Sequence, residues 1–362
     1  MRIRCLGVTV LAFLTLALAV PGCSNDDDPP LHPSSPSRAF RMGFSPFPPR
    51  PELPLLVATM DLWASRADVG LILVDPPWTA LLAGEDPDSL IRGNQLGIAS
   101  YLRAKGLRII VSLDPTNGLD RSAEAPALVA AGRSLAEPEV RDVFRRYATA
   151  MDTIVRPDYM GLASETNLVR AAAPAATYDA VVQAADTAAA SIRAVDSVVK
   201  LYATIQVEVA WGKPGGSFVG IAQDRADFAF ADAIGLSSFP FLGGFTDPDS
   251  IPLDYYAQLQ SGVAAPLPLL VIEGGWPSVP AGAASASTPA MQARYIDRHA
   301  QIIDAAPVVT WFQITFTDLD EAAYGFPPGS LTPFANLGLV DVNLSPKPAL
   351  APWDAVFARP RQ

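Results

Sequence analysis

Along this chain, short apolar runs rich in β-branched residues alternate with longer stretches whose apolar positions recur every three or four residues. The short runs predict strands at residues 40–44, 70–74, 108–113, 159–163, 200–205, 233–237, 268–272 and 308–314. The longer stretches predict helices at 53–65, 88–105, 139–154, 178–194 and 288–305, with Pro138 and Glu139 forming a favourable helix start. Strict strand–helix alternation argues for a parallel sheet with crossover helices, and eight strands is the number that closes a (β/α)₈ TIM barrel. A doubly wound open sheet is the alternative, but no G-x-G-x-x-G follows the first strand and no phosphate-binding P-loop occurs. Residues 207–232 give no clear periodicity.

Composition adds limits. Of 362 residues half are apolar and 17% are charged, enough for a large core and too hydrophobic for a disordered chain. The 35 prolines cluster between apolar runs as loop punctuation. A net charge of −11 without a basic run disfavours nucleic acid and suits an uncharged ligand. His32 and His299 are the only histidines, which excludes a His-rich zinc site, and no metal or cofactor is expected. No G-x-S-x-G is present either.

The N-terminus reads as a targeting segment. Arg2 and Arg4 precede the apolar run 6–20, which ends at Val20-Pro21-Gly22-Cys23. That junction resembles a bacterial lipobox, implying a signal peptide over 1–22, a lipidated Cys23, and a flexible tether to residue 38. Plain signal cleavage is the alternative, since Pro21 is unusual in such a box. Ser24 resembles the sorting position of outer-membrane cargo. Cys5 leaves with the signal, so the one remaining thiol lies where a lipid would attach. The expected product is an exported protein held to the cell envelope by a lipid anchor only, a monomer whose barrel spans 39–362.

In such a barrel the chemistry sits on loops at the C-terminal ends of strands. Polar residues directly after the apolar runs are Asp75, Asp114, Glu165, Gln206 with Glu208, Ser237, Glu273 and Gln313. Glu165 closes the fourth run and Glu273 the seventh, 108 residues later, which is three units of 36. Strands so related can project both carboxyls across one cleft. A pair of carboxyls is what glycosidic bond cleavage needs, one protonated to release the leaving oxygen and one ionised. Ordinary polar strand ends, paired with a loop cation such as Arg170, are the alternative.

The residues also resemble a known group. Val271-Ile272-Glu273-Gly274-Gly275-Trp276-Pro277-Ser278 is similar to the strand-seven nucleophile motif of the glycoside hydrolase clan A barrels. Residues 232–241 resemble the strand-six segment of family 53 endo-β-1,4-galactanases, residues 161–167 the segment carrying the acid/base, and residues 336–341 with 347–350 that family's closing stretch. The resemblance implies retaining hydrolysis of O-glycosidic bonds in a neutral, β-galactan-like oligo- or polysaccharide, with Glu165 as acid/base and Glu273 as nucleophile. Trp311 would floor a sugar subsite, Trp276 and Trp78 would offer further aromatic faces, and Asn167 and Gln313 would contact hydroxyls. Packing is the competing reading for each tryptophan.

Several family positions are not kept. Ser164 stands where the family has Asn, Ser238 where it has the Tyr that bonds the nucleophile, and the strand-two Arg and strand-three His have no counterpart. A surface glycan-binding or structural lipoprotein on a degenerate barrel is therefore the second reading. A polysaccharide-handling partner that works only in a complex is the third.

Overall fold

All eight apolar runs form strands, and the strands close on themselves in chain order. In a computed structural model that describes residues 37–263, 265–326 and 331–362, they are β1 (Arg41–Ser45), β2 (Val69–Val74), β3 (Arg108–Leu113), β4 (Tyr159–Gly161), β5 (Lys200–Gln206), β6 (Ala233–Ser238), β7 (Leu269–Gly274) and β8 (Val308–Thr315). Every neighbouring pair is parallel, including β1 with β8, so the sheet is a closed eight-stranded barrel. The signal segment, Cys23 and nearly all of the tether lie outside the described residues.

Helices Leu53–Ala64, Pro138–Val155, Ala175–Val195 and Pro289–Asp304 match the amphipathic stretches closely. The helix expected over 88–105 is two, Pro87–Asn94 and Leu96–Ala104. Gly93, Asn94 and Gly97 crowd the break, and glycine inside a helix costs about 1 kcal/mol relative to alanine. The unclear stretch 207–232 holds two short helices, Val207–Ala210 and Ala222–Asp227. Among the described residues no helix is long and apolar enough to cross a membrane.

Two apolar layers result. A small inner cluster unites Leu71, Ile110, Tyr202, Leu270, Ile272 and Phe312 from strands that are not all neighbours, so these side chains fill the barrel. A larger layer packs the outer strand faces against the helices. The Tyr202 ring is accommodated because β4 and β6 present glycine to it. A Cβ at Gly161 would lie 2.7 Å from that ring, and one at Gly235 2.5 Å from Thr204 and 2.9 Å from the ring. The Tyr202 hydroxyl in turn donates to the Val111 carbonyl at 3.0 Å.

This inner layer dictates what reaches the barrel mouth. Successive side chains on a strand alternate faces, so stepping by two from an inward residue predicts the polar group at the C-terminal end. Leu71 and Leu73 lead to Asp75, Ile110 and Ser112 to Asp114, Tyr202 and Thr204 to Gln206, and Ala233 and Gly235 to Ser237. On β7 the step from Leu270 through Ile272 would bring Gly274 inward. There the pairing slips: Leu236 faces Val271, but Ser237 faces Glu273. A bulge re-aims the residues beyond it, and here it brings the Glu273 carboxyl to the interior side.

Candidate active site

Glu165 sits just past β4 in an unusual backbone conformation. Its φ of 45° and ψ of 48° are left-handed, a region that costs a side-chain-bearing residue roughly 1–2 kcal/mol. The conformation is held by the Glu165 amide, which donates to Thr204 Oγ1 at 2.7 Å. Strain of this kind concentrates where a side chain must be aimed.

Both carboxylate oxygens of Glu165 are occupied. Oε1 accepts from the Ser237 hydroxyl at 2.6 Å, and Oε2 from Arg121 Nε at 2.8 Å. Arg121 lies on the loop after β3 and also donates through Nη1 to Asp114 Oδ2 at 2.5 Å and to Thr116 Oγ1 at 3.0 Å. Asp114 is fixed by the Thr116 amide at 3.0 Å and the Thr116 hydroxyl at 2.8 Å. The Arg121, Asp114 and Glu165 side chains are 6%, 12% and 11% exposed, so this is a buried network and not a surface ion pair. Burial alone would ease the proton from Arg121. The Asp114 and Glu165 carboxylates outweigh it and hold the guanidinium above its already high range.

Glu273 is only partly covered and forms no ion pair among the described residues. It is the cross-strand neighbour of Ser237 and stands beside that hydroxyl. Removal from bulk water, followed by the repulsion of Glu165, raises its carboxyl from the ordinary 4.5 to about 8, against the opposing pull of Arg121. Glu273 is thus pushed toward its protonated form. Asp75, at the end of β2, is likewise raised by loss of surrounding water and by Asp114. The mouth therefore gathers four carboxyls around one guanidinium.

The other sequence-predicted residues have different surroundings. Asn167 ties two elements together, its Nδ2 donating to the Gln206 carbonyl and its Oδ1 accepting from the Gln206 amide, both at 2.8 Å. Gln313 is fully buried and donates to the Leu337 carbonyl at 2.7 Å. Trp276 is buried beside Phe241 and Tyr295, its Nε1 donating to Ser287 at 2.9 Å. Trp311 is buried among Phe40, His299 and Trp353, between the barrel and the helices. Trp78 is buried next to Phe144. None of these three rings presents a face to solvent in this conformation. Arg170 pairs with Asp224 rather than with Glu165.

Sequence reasoning did not single out Arg121. It is the only basic residue between Asp114 and the helix at Pro126, a weak signal, since loop length says little about where its side chains land. It also left Glu208 without a role. That carboxyl is fully enclosed near the end of β5, where Tyr255 donates to it at 3.0 Å, and burial raises it to about 7.

Comparison with known proteins agrees on the architecture. A family 5, subfamily 18 glycoside hydrolase variant from Bifidobacterium longum, solved with Manβ1-4GlcNAc, matches with a TM-score of 0.66 at 13% identity, over 89% of this chain and 80% of that one. The family 53 catalytic domain from Ignisphaera aggregans matches at 0.56 and 15% identity, over 82% and 88%. An exo-β-1,4-mannosidase from an Opitutaceae bacterium matches at 0.62 and 19% identity, over 89% of this chain and 59% of the other. No family model and no curated protein matches the sequence. The shared feature is the closed (β/α)₈ barrel, which this chain has in common with these glycoside hydrolases.

Proposed function

We propose that this protein is a retaining glycoside hydrolase acting on β-linked neutral glycans through Glu165 and Glu273. The observation that carries the reading is the meeting of two carboxyls at one hydroxyl, Ser237, with a guanidinium on Glu165 and with Glu273 pushed toward its protonated form. Separate protonation states in one pocket are the requirement of the reaction. Neutral sugars fit better than uronic acids. The mouth already carries Asp75, Asp114 and Glu165, and its guanidinium is taken up by two of them. First substrates are β-galactan, which the motif resemblance implies, with β-mannosides and β-glucosides, since an exo-β-1,4-mannosidase and a β-glucosidase are among the structural neighbours.

The test is a panel of 4-nitrophenyl β-glycosides together with β-1,4-galactan and β-1,4-mannan. Glu165→Gln and Glu273→Gln should each lower turnover at least about 1,000-fold, the scale on which removing one member of a catalytic unit acts. Full activity in either variant would remove that residue from the mechanism. Export with lipidation at Cys23 belongs to the same proposal, and Cys23→Ala should shift the protein from the membrane fraction to the soluble one.

One observation favours glycan binding without cleavage: both oxygens of Glu165 are occupied, and the three tryptophans that could stack on sugar are buried. Retention on immobilised galactan or mannan, with no reducing ends released, would support that role.

A further inference from the structure

The other end of the barrel, where the strands begin, carries its own charge pattern. Two residues before the inward positions Gly43, Ile110 and Tyr202 stand Arg41 on β1, Arg108 on β3 and Lys200 on β5. Alternation of strand faces turns all three toward the barrel axis. Directly before β2, β4 and β6 stand Asp68, Asp158 and Asp232. Each acid accepts from the amide that follows one of the cations, Met42 at 3.0 Å, Ile109 at 3.4 Å and Leu201 at 2.9 Å.

These acids are outnumbered. Asp68 pairs with Arg38 and Arg361, Asp158 with Arg108, and Asp232 with Arg193 and Lys200. With Arg41, six cations meet three acids, on a chain whose net charge is −11. The surrounding pairs Lys105–Asp61, Arg66–Asp354 and Arg359–Asp304 cancel and leave the excess in place. A cleft of about 910 Å³ opens beside Arg108, Tyr159 and Lys200, and its further charges, Arg103 and Arg156 against Asp152 and Asp196, also balance.

Arg41 is where the excess is felt. Among the six it alone has no ion pair with a described residue, and its Nε is buried without a hydrogen-bond partner. Burial disfavours its charge, and the repulsion of Arg108 and Arg361 outweighs the pull of Asp158 and Asp68. Tyr159, half-buried at the start of β4, lies within the field of both Arg41 and Arg108 and brings a hydroxyl to the same place.

We propose that this N-terminal mouth binds a phosphate group, free or carried on a lipid headgroup, through Arg41, Arg108 and Lys200. A phosphate fits better than a carboxylate. It presents oxygens in several directions to cations arriving from three strands, and guanidinium forks match its geometry. Its charge also offsets an excess that one carboxylate would only partly cover. The site lies at the opposite end of the strands from Glu165 and Glu273, so it stands or falls apart from the hydrolase reading.

The first experiment titrates inorganic phosphate into the full chain at low ionic strength, followed by isothermal calorimetry. Saturable binding of one phosphate per chain is expected. Arg41→Met should weaken it about tenfold or more, the scale of one charged hydrogen bond. Arg108→Gln and Lys200→Gln, at exposed side chains, should each weaken it severalfold and keep the test open should Arg41→Met fail to fold. Arg92→Gln removes an exposed cation on the helix Pro87–Asn94 and should leave binding unchanged. An equal loss in Arg92→Gln would mean diffuse attraction and would overturn the site.

The second experiment identifies the source, using the Cys23→Ala chain so that no lipid is attached. Co-sedimentation with phosphatidylglycerol vesicles that inorganic phosphate reverses, and that Arg41→Met weakens, would name a headgroup. Phosphate binding without vesicle binding would name the free ion. Failure to bind either, or binding that Arg41→Met, Arg108→Gln and Lys200→Gln all leave unchanged, would refute the proposal.

Discussion

Arg121→Met offers a direct measure of what the loop cation contributes to the fold itself. The substitution keeps an unbranched side chain of similar reach while removing the charge and all four of its hydrogen bonds, to Glu165, Asp114, Thr116 and the Asn117 carbonyl. Were this a surface contact, the loss would be at most about 1 kcal/mol. The three charged side chains are instead 6–12% exposed. Removing one partner from a buried network strands the others and costs about 3–5 kcal/mol. Against a total stability of roughly 5–15 kcal/mol, that is a large share.

Equilibrium urea unfolding at pH 7, followed by tryptophan fluorescence, measures this cost. Most of it comes from leaving Glu165 and Asp114 charged and uncompensated, so a second variant sharpens the test. Arg121→Met combined with Glu165→Gln should be more stable than Arg121→Met alone, because one stranded charge is gone. A single-variant loss under about 1 kcal/mol would refute the reasoning. So would a double variant less stable than the single one.

Further outcomes follow from the same structure. Because the Glu273 carboxyl is raised from 4.5 to about 8 in the folded protein, the native state binds a proton that the unfolded state has released between those values. The resulting stability is complete below about pH 4.5 and is lost as pH climbs to about 8. Glu273→Gln should flatten this part of a urea-midpoint profile taken from pH 5 to 8, and an unchanged slope would show that another group is responsible. Trp311→Ala should destabilise the fold by about 3–5 kcal/mol, as for a buried core tryptophan. A variant of wild-type stability with a raised KM would instead identify a sugar platform. Gly235→Ala places a methyl 2.5 Å from Thr204 and 2.9 Å from the Tyr202 ring, so a loss of about 1–3 kcal/mol is expected. Activity should fall as well, since Thr204 holds the Glu165 amide.

The barrel was legible because its signals are local. Each strand announces itself as a short apolar run, and all eight are found within two residues of their expected limits. Glu165 and Glu273 were legible because the strand-end rule needs only the chain order of the strands. The shell around them was not, because it depends on three-dimensional detail. The β7 bulge that turns Glu273 inward is a slip in pairing with β6, invisible in either strand alone. Arg121 reaches Glu165 from a loop 44 residues away. The tryptophans show the limit of motif likeness. Trp311 and Trp276 look like platforms in a motif, yet Trp311 falls on the outer face of β8, where the helices cover it.

The missing family positions and the newly found ones are two sides of one electrostatic constraint. In the resembled family, Asn, Tyr and Arg around the pair are donors, and donors decide where negative charge can rest. Here Ser164 and Ser238 replace two of them, and the strand-two Arg is absent. The pocket still holds a guanidinium and a hydroxyl that donate to the Glu165 carboxylate, while the Glu165 amide donates to Thr204. Two carboxyls in a low-dielectric pocket cannot both be charged without separate compensation. Burial and the neighbouring Glu165 carboxyl push Glu273 upward, against the pull of Arg121 and Ser237. The arrangement around Glu165 is thus not simply an eroded copy of the family's shell. Arg121 and Ser237 supply its donors in place of the positions that are not kept.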